Sequence, residues 1–421
     1  MAKKKQDLTP EERLAAALVP EEEWPYALPD GWKWVRLLGG AATCMDNKRK
    51  PVSSKERANR IGEIPYYGAT GQVGWIDEYL TNEELILLGE DGAPFLDILK
   101  TKAYIINGKS WVNNHAHILK SFMGHIGNLY LMYYLNNFDY RKYVSGTTRL
   151  KLTQGKMQNI PVPYPPLSEQ HRLVARIESL FAKLDAAKEK VQSVLDSHET
   201  RKAALLHAAF AGKLTAKWRE ENNKRACYAE EPLKNFVKTQ YGYTEKSSFD
   251  IAGPHYLRIT DIQGETVDWN NVPNCSIDET NYQKYSLHPN DIVVARTGAT
   301  TGKSYMIGED IDAVFASYLI RVQITNIRLL PKFLYMFFQS QEYWSQIMEL
   351  SAGIAQPGVN ARKIQSMMIC VPSLPEQQEI VRILDRLLAR EQRARQAAEE
   401  TLAAIDRMKQ SILARAFRGE L

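Results

Sequence analysis

The sequence predicts an α+β protein in which two mixed α/β modules alternate with two long helices. Three observations predict it. A segment that starts at Asn159 returns at Ser366, an offset of 207, with no gap through Leu214 and Leu421. Each copy carries helical, coiled-coil periodicity, and the stretches before and between the copies hold short apolar strands bounded by turn residues.

The repeat pairs Pro165 with Pro372, Leu167 with Leu374, Glu169 with Glu376, Gln170 with Gln377, Leu206 with Leu413, Phe210 with Phe417 and Gly212 with Gly419. It extends upstream through Gly146/Gly353, Lys156/Lys363 and Gln158/Gln365. Each copy opens on proline and acidic residues, Ser168-Glu169-Gln170 and Pro375-Glu376-Gln377, which suit the unpaired donors and dipole of a helix start. Gly212 and Gly419 supply the stops.

In the first helix Leu173, Ile177, Leu180, Leu184, Ala187, Val191 and Val194 alternate spacings of four and three, the seam of a coiled coil. From Leu167 to Ala211 it predicts a rod of roughly 65–70 Å. The second seam runs Ile380, Leu384, Leu387, Ala394, Ala398, Leu402, Ile405 and Ile412, with Glu391 where an apolar residue is expected. Stripes this narrow are not cores alone, so the two helices are expected to pack on each other.

The mixed segments run from about Pro25 to Pro165 and Ala226 to Pro372, with predicted strands at Glu84–Leu88, Ala116–Leu119, Asp291–Ala295 and Tyr318–Ile324. Their middles are alike only weakly: ELILLGEDGA beside DIVVARTGAT, IPYYGATG beside GPHYLRIT. The expected division is 1–24, a helical extension with an acidic amphipathic helix at Pro10–Leu18; 25–165, the first module; 166–214, the first long helix; 215–372, the second module; and 373–421, the second helix.

With 421 residues, 44% hydrophobic and 24% charged, the chain has room for two to four ordinary domains and is not a low-complexity sequence. A net charge of +5 is compatible with a nucleic-acid partner without requiring one. Cys44, Cys227, Cys275 and Cys370 form no CxxC pair, which predicts neither a disulfide framework nor a zinc site and fits a reducing cytoplasm. The acidic turn of the first residues and the absence of an 18-residue apolar run predict an unexported chain without a membrane span.

No catalytic constellation stands out. Gly298–Ser304 ends like a phosphate loop, but position 297 is Thr297 where that loop needs glycine, and no good helix pattern follows Ser304. No GxGxxG follows a strand and no amino-methyltransferase Asn/Asp-Pro-Pro-Tyr/Phe motif is present, so S-adenosylmethionine binding by this chain is not expected. His115, His117 and His125 have no Cys or carboxylate cluster at ligand spacing and read as strand residues rather than a metal site.

At the repeated helices, with their PPLSEQ/SLPEQQ openings and AFAGKL/AFRGEL endings, the chain resembles the specificity subunits of type I restriction-modification systems, and the opening Pro29-Asp30-Gly31-Trp32-Lys33-Trp34-Val35 is similar to the start of their first module. The resemblance implies two target recognition domains held by antiparallel helices on a pseudo-two-fold frame, each reading half of a bipartite, asymmetric DNA site. It further implies a non-catalytic chain that docks two modification subunits carrying S-adenosylmethionine. Nuclease-translocase subunits using ATP and magnesium join them, in a phage-defence complex of the cytoplasm.

The DNA-reading candidates of the first module are Tyr66, Tyr67, Thr70, Gln72, Lys109, Trp111, Asn113 and Asn114, with Lys48, Arg49, Lys50, the run Lys55–Arg60, Arg149 and Lys151 as phosphate contacts. Those of the second are Tyr256, Arg258, Thr260, Arg296, Thr297, Thr300, Thr301, Lys303, Gln356 and Asn360. Asn and Gln suit adenine and Lys phosphate or guanine, while Tyr66 or Trp111 serves as readily in a core as in stacking on a base. The alternatives are a coiled-coil interaction scaffold without DNA specificity, which leaves the polar, basic loops unexplained, and nucleotide hydrolysis at Lys303.

Overall fold

The computed structural model describes residues 9–224, 226, 229–351 and 358–421. It divides into two compact units, Met1–Gln192 with Ala398–Leu421, and Ser193–Ala397.

In the first unit one four-stranded sheet has the order Ala42–Cys44, Ala116–Ser121, Leu85–Gly89, Ala103–Ile106, all antiparallel. Leu85–Leu88 are wholly buried, so both faces of this strand are covered, which explains its unbroken apolar run. A second sheet runs Gln72–Ile76, Ile64–Tyr67, Lys109–Val112, Thr81–Asn82, with Ile64–Tyr67 and Lys109–Val112 parallel. Helix Gly124–Asn137 packs on the first sheet, and the pair Lys33–Arg36 with Pro161–Tyr164 leads into the long helix.

The second unit repeats the plan. Its sheets run Val237–Tyr241, Leu319–Ile324, Ile292–Ala295, Ser304–Met306, and Ser247–Ser248, Asn274–Cys275, His255–Leu257, Ala313–Phe315. Here His255–Leu257 and Ala313–Phe315 are the parallel neighbours. The four strands expected from sequence all form, with their ends moved by one or two residues.

The long helices differ from each other. The second is one helix, Leu374–Phe417, whereas the first is Leu167–Asp196 followed by His198–Phe210. The expected single rod is thus interrupted at Ser197, whose hydroxyl bonds back to the Ser193 carbonyl at 2.6 Å while Arg201 takes the Val194 carbonyl. A serine hydroxyl competing for a carbonyl one turn back is a known cause of helix distortion.

Helix pairing is antiparallel within each unit. In the first, Asp185 meets Lys409 at 2.5 Å and Lys188 meets Asp406 at 3.0 Å. In the second, Arg201 meets Glu391 at 2.7 Å, which accounts for the polar break in the second seam. Leu173, Ile177, Leu384 and Ile405 are buried, while Leu180, Leu184, Val191, Val194, Leu387 and Leu402 are half-buried. Two exposed helices facing each other along one seam leave such partial cover.

Each module's core is closed by a helix end distant in sequence. Phe417 lies edge-on to Tyr130 at 5.2 Å and Tyr134 at 5.1 Å, and Leu413 and Ala416 join the same core. Phe210, its partner in the repeat, packs on Phe333 and Phe337 at 5.2 and 5.6 Å. The N-terminal helix is Pro10–Ala16, closed by a Thr9–Glu12 capping box, and it packs on the turn at Leu37–Ala41. Among the described residues no helix is long and apolar enough to cross a membrane.

Candidate nucleic-acid interface

Part of the candidate set, Arg49, Asn113, Arg149 and Lys151 in the first module and Arg296, Thr297 and Asn360 in the second, lies where the central buried strand of its module ends. In the first unit that strand is Leu85–Gly89. Beyond it the Glu90 N–H donates to the His115 carbonyl at 2.7 Å, the Glu90 carbonyl accepts from Leu152 N–H at 2.7 Å, and Asp91 pairs with Lys151. In the second unit the strand is Ile292–Ala295. The Arg296 N–H donates to Tyr318 at 3.0 Å, its carbonyl accepts from Val359 at 2.9 Å, and Thr297 pairs with Gly358. Lys151/Gly358, Leu152/Val359 and the helix caps Thr153/Asn360 all keep the 207 offset. One main-chain frame therefore carries two different sets of side chains.

The first set is ionic. Arg49 pairs with Glu90 and, at 3.2 Å, with Asp46; Lys151 reaches the other Glu90 oxygen at 3.1 Å. His117, buried, bonds Asp46 at 2.6 Å through Nδ1 and the Leu152 carbonyl at 2.8 Å through Nε2. Burial by itself would raise the Asp46 carboxyl, but the His117 bond, the Ile118 N–H and Arg49 outweigh it and hold it below the usual range. Further out, Asp91 bonds both His115 at 2.6 Å and Arg149 at 2.7 Å.

In the second unit the same position is a cation over an aromatic ring. Arg296 lies 4.9 Å from the centre of Tyr241, and its Nη1 is 3.4 Å from the Ser317 carbonyl. Among the described residues no carboxylate pairs with it. Tyr318 stands exposed where the first module has His115.

One family matches both modules. The type I restriction modification DNA specificity domain matches residues 29–195 and again 232–400, most of the chain. The chain belongs to that family. This specificity chain is 27% identical to the EcoBI specificity subunit of Escherichia coli over 66% of its own length, though the match spans only 62% of that subunit. It is 23% identical to the Escherichia coli EcoDI specificity subunit over 94% of this chain and 89% of that one. Two solved structures share its fold. One is a chain from work on complex assembly and conformational transition of the type I R-M system, with a TM-score of 0.69, 18% identity, and 94% of this chain and all of that one covered. The other is the HsdS subunit from Thermoanaerobacter tengcongensis, with a TM-score of 0.57, 19% identity, and 95% and 100% covered.

Several of the expected DNA contacts prove to be core residues of the specificity chain. Tyr66 and Trp111 pack together with Val52 and Ile76, and Trp111 donates to the Lys50 carbonyl at 2.8 Å. Tyr256 is buried and donates to the Tyr243 carbonyl, Asn113 is buried with its oxygen on the His115 N–H, and Thr301 is buried. These five are not base-stacking or base-reading groups on the surface. Tyr66, Trp111 and Tyr256 lie in short strands, whose two faces cannot be told apart in so short a motif, whereas Asn113 follows a strand and Thr301 ends the turn Gly298–Thr300.

Others are tied down. Arg49 is in the ion network, Arg258 pairs with Asp261, and Asn360 caps the helix Ala361–Ser366 through Lys363 N–H. Lys48 meets Glu83, and the half-buried Tyr67 ring packs near Tyr104. Thr70, Gln72, Asn114, Arg149, Thr260 and Lys303 are exposed, as are Lys50 and Lys109; Thr297 and Thr300 are half-buried. In the basic run Arg57 lies over Tyr66, and Arg60 is held by Asp77 and Glu78. Gln356 and Cys227 lie outside the described residues.

The weak likeness of IPYYGATG and GPHYLRIT also needs a shift of one. Tyr67 and Leu257 hold the same place, since their carbonyls accept from Asn113 and Ala316 N–H, so Tyr66 answers to Tyr256 and Thr70 to Thr260. Sequence reasoning missed Asp91, Gly92 and His115. The pairing of Lys151 with Gly358 at the 207 offset marks the main-chain partner of this corner, but nothing in the sequence ties Asp91, Gly92 or His115 to it.

The three histidines separate: His115 goes to Asp91, His125 to Glu84, and among the described residues only His117 belongs to a group of three ligand-type side chains, with Cys44 and Asp46, their ligand atoms within 4.8 Å of one another. The expectation that no Cys or carboxylate cluster stands beside these histidines is thus corrected for His117. Both ring nitrogens of His117 are already engaged, by Asp46 and by the Leu152 carbonyl, and Arg49 supplies the cation beside Asp46, so the group is a poor fit to a metal ion. Gly298–Ser304 forms a turn into strand Ser304–Met306 with no helix after it, unlike a phosphate loop.

Proposed function

We propose that each module reads one half of a bipartite, asymmetric site in double-stranded DNA, while the paired helices set the spacing and dock two modification subunits. The observation that carries this reading is the corner built on one main-chain frame with exchanged side chains: an ion network at Glu90 and Asp91, a stacked guanidinium at Arg296. Equal frames place the reading groups alike, and different side chains make the two half-sites different.

Chemistry belongs to the partners in this proposal. S-adenosylmethionine sits on the modification subunits, ATP and magnesium on restriction subunits that join them, and no cofactor on this chain. The complex works in the cytoplasm, where it meets incoming DNA.

The test is to co-express the chain with the methyltransferase gene beside its own and map modified bases by single-molecule sequencing. A two-part motif with a fixed gap, absent without this chain, is the expected result; a stable complex that adds no methylation overturns it. Removing or inserting whole heptads between Leu180 and Val194 should change the tolerated gap or abolish assembly, leaving the half-site bases as they were.

A further inference from the structure

The corner of the first module holds an arginine that is exposed and yet fixed. Arg149 Nη2 donates to Asp91 Oδ1 at 2.7 Å, and His115 Nδ1 lies 2.6 Å from the same oxygen and 3.5 Å from Nη2. Its guanidinium rests over Gly92, whose φ is +72°; a β-carbon there would sit 3.2 Å from Arg149 Nε and 3.5 Å from Nη2. The left-handed backbone and the missing side chain together reserve the space in which the guanidinium lies. Asp91, itself mostly buried, is anchored by its main-chain pairing with Lys151.

The arginine side chain remains 61% exposed. Among the described residues no carboxylate engages Nη1 or Nε, so one edge of the fork faces outward. A planar fork held on one side by a carboxylate presents paired donors at a fixed angle, the geometry that matches guanine O6 and N7. A phosphate contact asks less: lysines and loose arginines suffice, since it carries no sequence information directly.

The second module has Thr297 and Tyr318 at the places of Asp91 and His115, so it lacks this buttress. Resting on the reading of the two modules as DNA half-site readers, we propose that Arg149 reads a guanine in the half-site of the first module. Asp91, Gly92 and His115 act on it as positioning residues.

The experiment uses the full chain assembled with its modification subunits. Selectivity is the ratio of methylation on duplexes that differ at one base pair, measured through both half-sites. In Arg149→Ala the ratio at one G·C pair of one half-site falls by roughly 5- to 150-fold, while the other half-site and the gap keep their selectivity. Arg149→Lys does not restore it, because an ammonium has no fork. Asp91→Asn relaxes the same position less, an effect confined to one base pair that a merely structural role would not produce.

Equal loss on every duplex, with the ratio intact and a weaker salt dependence, assigns Arg149 to a phosphate and overturns the proposal. Relaxation in both half-sites overturns it too. A wild-type complex with no two-part motif instead removes the reading beneath it, and the second half-site serves as the control that tells these failures apart.

Discussion

Gln170 and Gln377 make the same hydrogen bond in the two units: each side-chain nitrogen donates to the carbonyl of the proline five residues before it, Pro165 at 3.1 Å and Pro372 at 2.8 Å. Both are buried at the first turn of a long helix, where they tie strand to helix. Gln377 does more, donating to the Arg328 carbonyl at 2.7 Å and accepting from Leu330 N–H at 2.9 Å. Gln377→Ala should therefore destabilise its unit by about 1–3 kcal/mol more than Gln170→Ala does, since it strands more buried polar groups. Denaturant melts of the two variants measure the difference, and equal losses would contradict it.

Arg219 and Glu376 form a buried ion pair at 2.6 Å, with Thr215 donating to the same carboxylate and Arg219 to the Gly212 carbonyl. Removing one partner leaves a buried charge, so Glu376→Ala should cost about 3–5 kcal/mol. The paired change to two apolar residues should cost much less. A double-mutant cycle read by chemical denaturation checks both expectations.

Lys102 is completely buried, its ammonium 3.1 Å from the Asn136 carbonyl. Burial lowers its pKa to about 8, against a weaker opposing pull from Asp97. Between pH 8 and its ordinary 10.5 the unfolded chain holds a proton here that the folded chain does not, so stability rises with pH across that window. Lys102→Met should remove the rise and stabilise the unit below pH 8, on the order of 1–3 kcal/mol. Melting temperatures of the two proteins from pH 7 to 10.5 give the answer.

Asp46 titrates the opposite way. Its carboxyl is held low, so its contribution is full above the ordinary carboxylate range and is lost as pH falls through the lowered folded value. Asp46→Asn should flatten the acid limb of the stability curve and lower stability at neutral pH, because His117 and Arg49 lose their shared anion. An acid titration followed by fluorescence distinguishes this from an unchanged limb.

The repeat and the seam made the architecture legible in the sequence, because offsets and heptads are local counts. The first helix's interruption at Ser197 was not, since serine is ordinary inside helices until its hydroxyl takes a carbonyl. At the site, exposed Thr70, Gln72, Arg149 and Lys303 were legible from residue type. Tyr66, Trp111 and Tyr256 misled for the same reason, since an aromatic in a short strand serves core and surface equally well. The Asp91–Arg149 and Glu90–Arg49 pairs join residues 58 and 41 apart, and no local pattern announces such partners.

The closing of the first core by Phe417 sets an order of events during synthesis. The module that contains Tyr130 and Tyr134 emerges first, yet its aromatic core waits for the last turn of the final helix. At about 5–20 residues per second that wait is roughly ten to fifty seconds. The second module needs Phe210, which has already been made when Phe333 and Phe337 leave the ribosome. The half synthesised first is thus completed last, and a ribosome stalled just before Phe417 would hold a chain with its later half finished and its earlier half open.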